Sequence, residues 1–165
     1  MGLDMYAYKL RADLAPADDK DLFRVAREAV GFEEATDQDL NGMTPDERIV
    51  YWKARDVAQK KAAELGIFDG DFCYWRKFNE LHGWMEDLYA SRGGESDFNC
   101  IPIRLYPDDL DKLEADFNAG NLTSRSGFFW GEAADEEEMQ EVPAFIKKAR
   151  QAIADGYAVY YDSWW

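Results

Sequence analysis

The only histidine of the chain, His82, lies in the stretch YWRKFNELHGWMEDLY and is the side chain best suited to proton transfer near neutral pH. Glu86 follows it by four residues, so the two side chains are neighbours on one face if this stretch is helical. A carboxylate in that position orients an imidazole as a general base. If the protein is an enzyme, His82 and Glu86 are the candidate catalytic pair, although the spacing ties no serine or cysteine nucleophile to His82.

A structural role for His82 is the favoured interpretation of the same stretch. Residues 74–89 are predicted as one helix, whose apolar positions are Phe78, Leu81, Met85 and Leu88. His82 falls at the boundary of that apolar face. Asn79 and Glu86 lie one turn to either side of the histidine, where they can satisfy its ring nitrogens. A half-buried histidine with those two hydrogen-bond partners is therefore expected.

Large aromatic and polar side chains recur in the histidine stretch, in the loop TSRSGFFWG and in the terminal YYDSWW. The candidate ligand- or partner-binding residues among them are Trp75, Arg76, Asn79, His82, Phe128, Phe129, Trp130, Trp164 and Trp165. Together they would line a mostly apolar pocket with a few polar groups. They also suit a partner interface, where aromatic residues and arginine are enriched, or simple anchoring in the core. The sequence leaves these uses open.

The stretch DQDLNG resembles the start of a calcium-binding loop. Asp37, Asp39 and Asn41 occupy the first, third and fifth positions, and Gly42 the sixth. The twelfth position needs a bidentate glutamate but is Arg48, so a cation would lose its strongest ligand and face a positive charge. An Asx-rich turn before a capped helix is the preferred interpretation, and no metal or other cofactor is predicted.

The chain is strongly acidic, with 34 acidic against 19 basic residues and a net charge of −15 over 165 residues. A field of that sign repels phosphates, so direct nucleic-acid binding is not expected. It suits a partner with a basic surface, and acids spread over one face, such as those of EAADEEEMQE, would imitate a line of phosphates. The alternative is a set of solvated helix faces, some at helix N-termini where acids favour the dipole.

The apolar pattern predicts an α+β fold in one domain over residues 1–165, with helices on one face of a small, mostly antiparallel sheet. About three strands are expected, over residues 2–10, 100–106 and 157–165. In the last strand, Tyr160, Asp162 and Trp164 share one face. Four to five helices are expected, near residues 18–30, 44–66, 74–89, 107–120 and 139–156. The second begins at a capping box and carries an apolar stripe formed by Val50, Ala54, Val57, Ala58, Ala62 and Leu65.

Two cysteines, Cys73 and Cys100, are too few for a disulfide framework. They favour a reduced cytosolic compartment, although a single bridge is left open. No apolar run approaches the ~20 residues of a membrane span, and no secretory signal precedes the first strand. The sequence therefore predicts a cytoplasmic protein without membrane association.

The stretches MGLDMYAYK, YWRKFNELHGW and SGFFWG together resemble a family of small uncharacterised proteins of phages and bacterial genomes. Its members begin MGLDMY, carry YWRK followed by an asparagine and a histidine, and have an SGFFFG-like loop. The matching residues are Tyr74, Trp75, Arg76, Lys77, Asn79, His82 and Trp84, with Trp130 replacing the third loop phenylalanine. The resemblance spans both ends of the chain but not residues 13–66. It implies a phage accessory protein acting in a bacterial cytoplasm.

Charge, size and the lack of an assembled catalytic set favour a non-catalytic protein that binds a host macromolecule with a basic surface. A defence enzyme or a nucleic-acid enzyme has such a surface. The alternative is a small-molecule-binding protein or enzyme with a pocket around Arg76, Asn79 and His82.

Overall fold

An antiparallel sheet of four strands organises the described part of the chain, residues 2–125 and 131–165 of a computed structural model. The strands are β1 (Asp4–Arg11), β2 (Phe68–Arg76), β3 (Ile103–Leu105) and β4 (Tyr157–Trp164). Their order across the sheet is β2-β1-β4-β3. The helices are α1 (Leu22–Glu28), α2 (Asp37–Gly42), α3 (Pro45–Glu64), α4 (Asn79–Ser91), α5 (Pro107–Asn118), α6 (Glu136–Met139) and α7 (Glu141–Ala154). The α+β class and the antiparallel sheet agree with the sequence prediction.

Helices cover both faces of the sheet, where the sequence predicted one helical layer. Successive strand residues point to opposite faces. Met5 and Ala7 of β1 pack with α4, α5 and α7 in the larger core. Tyr8 and Leu10 of the same strand pack with α1 and with Ala62 of α3 in a smaller one. The single-layer prediction is wrong because both sets of alternating β1 residues include apolar side chains.

Strand β2 is the element that the sequence prediction missed. Residues 74–76 belong to this strand and not to a helix. Lys77 adopts a left-handed backbone conformation (φ 61°), and α4 begins only at Asn79. The predicted helix was therefore too long at its start, because the aromatic spacing before Asn79 happens to fit a helical period. Its second half is correct, since Leu81, Met85 and Leu88 are buried.

Helix α3 begins where the sequence predicts, with Thr44 and Glu47 in a capping box and a proline in the first turn. It buries only Ala58 and Ala62, near its C-terminal end. Val50 and Val57, both in the predicted apolar stripe, are 67% and 65% exposed. A helix of 20 residues is about 30 Å long. Its first half buries no side chain, and Val57 lies on a different side of the helix from Ala58 and Ala62.

Polar contacts fix α3 to the segment around α1. The Arg27 guanidinium of α1 pairs with Glu34 and donates a hydrogen bond to Gln59 of α3 at 3.1 Å. The Tyr51 hydroxyl, in the first half of α3, donates to the second oxygen of Glu34 at 2.9 Å. Arg27 is only 5% exposed, so its contacts are shielded from water.

Strand β3 lies at one edge of the sheet, and side chains bind its outward backbone groups. The Arg104 N–H donates to Asp19 Oδ2 at 2.8 Å, and the Arg104 carbonyl accepts from Arg92 at 2.5 Å. At the opposite edge, the register between β1 and β2 shifts between Ala7 and Lys9.

Cys73 and Cys100 are both free thiols. Within residues 2–125 and 131–165, no helix has the length and apolarity to cross a membrane.

Candidate functional site

His82 is fully buried in the larger core, and not at its boundary as the sequence predicted. Its Nδ1 lies 2.9 Å from the Tyr161 hydroxyl of β4. The imidazole stacks on Phe98 with ring centroids 5.6 Å apart and planes inclined by 11°. Burial, and secondarily the charge of Arg125, lower the pKa of His82 to about 4. The ring is therefore neutral at physiological pH and poorly suited to general-base catalysis.

The two hydrogen-bond partners predicted for His82 bind other groups. Asn79 Nδ2 donates to the Glu132 carbonyl at 2.8 Å, and its Oδ1 accepts from the Arg125 N–H at 3.0 Å. The Glu86 carboxylate accepts from the Arg125 guanidinium at 2.6 Å. Both side chains thus hold the segment that follows α5, and the prediction that they satisfy His82 is wrong.

Polar residues of α4 hold the chain on both sides of residues 126–130, and we call this set of contacts the clamp. Besides Asn79 and Glu86, Glu80 accepts from the Ala134 N–H at 3.1 Å, and Asp87 pairs with Arg125 at 2.5 Å. Gly83 makes room for Arg125, because a Cβ there would lie 2.7 Å from the Arg125 Nε. Phe128, Phe129 and Trp130 themselves lie outside the described residues.

The other described residues of the predicted site lie in different environments. Trp75 is 8% exposed and packs edge-on against Phe145. Trp165 hydrogen-bonds to the Phe98 carbonyl through its indole N–H at 3.3 Å. Arg76 is exposed, whereas Asn79 and His82 are fully buried, so these three do not line a common open pocket.

The candidate calcium loop is helical. Asp37, Asp39 and Asn41 belong to α2, and the Asp39 carboxylate accepts from the Thr36 N–H and hydroxyl at 2.9 and 2.7 Å. This capping box gives Asp39 a structural role and removes the loop that calcium ligands need. Residues 37–42 therefore form neither the preferred Asx-rich turn nor the alternative calcium loop. Among the residues that the structure describes, no three His, Cys, Asp or Glu side chains are grouped as metal ligands.

Tyr74, Arg76 and Trp164 are exposed on one half of the sheet face that carries α1, and we call this half the open sheet face. Its residues are Asp4, Tyr6, Tyr74, Arg76, Asp162 and Trp164. The strand register pairs Tyr6 with Tyr74 on one side and with Asp162 on the other. Cross-strand partners have Cβ atoms about 5 Å apart, so these side chains form one continuous surface. Tyr74 and Trp164 are 54% and 57% exposed.

The aromatic rings of the open sheet face are ordered by contacts within it. The Tyr6 and Tyr74 rings have centroids 5.3 Å apart, and Tyr6 stacks on Tyr8 at 6.0 Å. The Tyr74 hydroxyl donates to Asp4 Oδ1 at 2.6 Å. These contacts leave Tyr74 with one face toward solvent, a surface that attracts cations through the ring quadrupole.

Asp162 is the most deeply buried residue of the open sheet face. It is 8% exposed, and its carboxylate accepts from the Ser163 N–H at 2.8 Å. Burial raises the pKa of Asp162 to about 6, so the group is ionised at neutral pH. Burial and then the charges of Asp4 and Asp162 raise the pKa of Tyr6, which reflects a negative field between the strands. None of the ion pairs formed by described residues includes Asp4, Asp162 or Arg76.

A second charged surface follows the clamp, and we call it the acidic strip. Its members are Glu132, Asp135, Glu136, Glu137, Glu138 and Glu141, all exposed. Asp135 and Glu138 form the capping box of α6. No basic residue occurs between positions 131 and 146, so no charge next to these acids along the sequence offsets them.

Sequence reasoning also missed a groove of about 720 Å³ along the β3 edge, between α4 and the turn at Asp19. Lys20, Arg92 and Tyr106 contribute to its lining. Arg92 already pairs with Asp109, and Asp18, Asp19 and Glu95 line the same groove, so its charge is mixed. For the open sheet face, the strand pattern of the sequence predicts that Asp162 and Trp164 share a face, but it places Tyr74 in a helix and so does not predict that Tyr74 joins them.

No protein-family model matches the chain, and neither the curated proteins nor the solved structures include a significant match.

Proposed function

We propose that the protein is a non-catalytic binding protein whose partner is a macromolecule with a basic surface. The proposal rests on the open sheet face, where the exposed rings of Tyr74 and Trp164 border two carboxylates, those of Asp4 and Asp162, that form no ion pair with another described residue. Lysine and arginine side chains are attracted to aromatic faces and form charge-assisted hydrogen bonds with carboxylates. The face is held by strand pairing, so little order has to be gained on binding.

The charge of the whole chain supports this assignment. A net charge of −15 attracts a basic partner over a distance and repels nucleic acid. The acidic strip adds six exposed carboxylates along the start of α6 and α7. Complementary charges of this kind raise the association rate and select among partners more than they add affinity. The open sheet face is then the contact surface, and the acidic strip contributes to steering.

The resemblance to phage proteins supplies the setting of the proposal. A phage accessory protein acts in the cytoplasm of a bacterial host, where enzymes that bind nucleic acid expose basic grooves. The proposed partner is a host protein of this class, such as a defence or nucleic-acid enzyme. The acids of this chain would occupy the groove in place of phosphates.

The test is retention of bacterial lysate proteins on the immobilised protein at low and moderate salt. We expect basic, nucleic-acid-associated proteins at low salt, and their loss at moderate salt because charge interactions are screened. A variant with Asp4→Asn, Asp162→Asn and Trp164→Ala should lose them. A matched control, Glu95→Gln with Asp97→Asn, removes two exposed charges elsewhere and should keep them. Retention of no basic protein, or equal retention by both variants, would contradict the proposal.

A further inference from the structure

Helix α3 presents an apolar stripe to solvent beside the face on which its buried alanines pack. Val50, Ala54 and Val57 follow each other at intervals of four and three residues and are exposed. At about 100° per residue, Asp46 and Lys61 lie on the same side of the helix, within about 80° of Ala54. We call these five residues the α3 stripe. A helix of a globular protein normally buries such a stripe, and an exposed one marks an interaction surface.

We propose that the α3 stripe binds the α3 stripe of a second copy of this chain, with the two helices antiparallel. This inference is independent of the proposed partner of the open sheet face.

The charge of α3 favours a second copy of this chain, and not a basic macromolecule, as the partner of the α3 stripe. In a chain with 34 acidic and 19 basic residues, this helix is the exception. It carries five basic residues, Arg48, Lys53, Arg55, Lys60 and Lys61, against the four acids Asp46, Glu47, Asp56 and Glu64. Repulsion between two strongly acidic bodies is therefore weakest where α3 meets α3. A basic macromolecule gains no attraction from this helix.

The order of residues along α3 is complementary to itself when one helix is reversed. The acids Asp46 and Glu47 stand in the first turn, and Lys60 and Lys61 near the end. Antiparallel pairing about a twofold axis between residues 53 and 54 places Asp46 opposite Lys61 of the second copy. The same register places Val50 opposite Val57. Each contact occurs twice, as a twofold interface requires.

The stripe is held in place before association. Arg27 and Glu34 fix α3 through Gln59 and Tyr51, so α3 does not have to order on binding. The apolar part is only three small side chains. An interface of this kind falls in the smallest size class, and we expect a weak, reversible dimer.

Sedimentation over a concentration series tests the proposal. We expect the average mass of the full chain to rise from one copy toward two. Val57→Glu, at a position already 65% exposed, should weaken association by more than about tenfold without loss of helicity, because it would place a carboxylate inside the interface. Ile49→Glu is the control, since Ile49 is 53% exposed but lies outside the stripe, and it should leave association unchanged.

A charge exchange tests the antiparallel register. Asp46→Lys should weaken the dimer because it faces Lys61, and Asp46→Lys combined with Lys61→Asp should restore it. A single-copy mass at every concentration overturns the proposal. So does a dimer that tolerates Val57→Glu, a dimer lost equally with Ile49→Glu, or failure of the charge exchange to restore association.

Discussion

The Tyr161 hydroxyl and His82 Nδ1 lie 2.9 Å apart and join β4 to α4 inside the core. Burial lowers the pKa of His82 to about 4 and raises the pKa of Tyr161 well above its ordinary value. Neither group therefore changes charge over the physiological pH range. A general base needs a pKa near the working pH, so this contact is suited to packing and not to proton transfer.

The titration of His82 can be measured directly, because it is the only histidine. We expect its imidazole NMR signals to titrate near pH 4 in the folded protein. The folded pKa is below the ordinary value of 6.5, so the neutral ring stabilises the fold above pH 6.5. That contribution is lost as the pH falls through about 4.

Denaturation of the wild type and of His82→Phe over this pH range isolates the effect of the histidine. As the pH falls, the wild type should become less stable relative to His82→Phe. An imidazole that titrates near 6.5 would contradict the buried, neutral assignment.

Replacement of Asp162 by asparagine should stabilise the protein at neutral pH. The folded pKa of about 6 lies above the ordinary 3.8, so the folded protein favours the protonated carboxyl. The stability from this group is present below pH 3.8 and is lost as the pH rises through about 6. The carboxylate accepts from the Ser163 and Ile101 N–H groups, and an asparagine side chain would keep one acceptor oxygen for them and carry no charge. We expect a gain of roughly 1–3 kcal/mol at pH 7 that vanishes near pH 4.

Urea denaturation at the two pH values measures this change, with Asp97→Asn as an exposed control. A stabilised Asp162→Asn variant that also loses the basic partner would show that the buried charge is retained for binding at a cost in stability. Equal stability of the variant and the wild type at neutral pH would show that the charge of Asp162 does not destabilise the fold.

The clamp predicts a large effect of Asn79→Ala. The Arg125 N–H and the Glu132 carbonyl would both lose their partner, and the loss of a buried hydrogen-bond partner costs about 1–3 kcal/mol. Hydrogen exchange at Arg125 should become faster. Asn118→Ala, at an exposed position of α5, is the control and should change neither property. Unchanged exchange at Arg125 in Asn79→Ala would show that the clamp does not hold this segment.

The contact between Arg27 and Glu34 predicts that Arg27→Met is destabilising. Methionine keeps much of the apolar stem but leaves the largely buried Glu34 with only Tyr51 and a longer contact to Arg55 at 3.8 Å. We expect a loss of about 2–4 kcal/mol in chemical denaturation, somewhat below that of a fully buried pair. Arg24→Met breaks exposed pairs with Asp21 and Glu28 on the same helix and should have a much smaller effect, because water screens those charges. Equal effects of the two substitutions would contradict the role of burial.

Local signals in the sequence predicted the elements that are defined by local interactions. The capping box at Thr44 and the positions of strands β1 and β4 depend on neighbouring residues, and all three agree with the structure. Strand β2 was missed because no glycine marks the left-handed residue Lys77. The aromatic residues before it then continued the helical spacing of α4.

The candidate site depended on contacts that the sequence does not specify. Val50 and Val57 are exposed because they lie on a different side of α3 from the buried Ala58 and Ala62, and periodicity cannot show which side of a helix packs on the rest of the chain. The open sheet face depends on the pairing of β1 with both β2 and β4. Of its six members, Arg76 and Trp164 were predicted as site residues, but with Asn79 and His82 as neighbours that the structure places elsewhere.

The outward backbone N–H of Arg104 in β3 donates a hydrogen bond to the Asp19 side chain, and its carbonyl accepts one from the Arg92 side chain. A strand from another molecule would have to displace both before it could add to that side of the sheet. Fibril growth by strand addition is thus disfavoured at this margin. The β3 margin therefore offers no ready template for amyloid, even when many copies are crowded together.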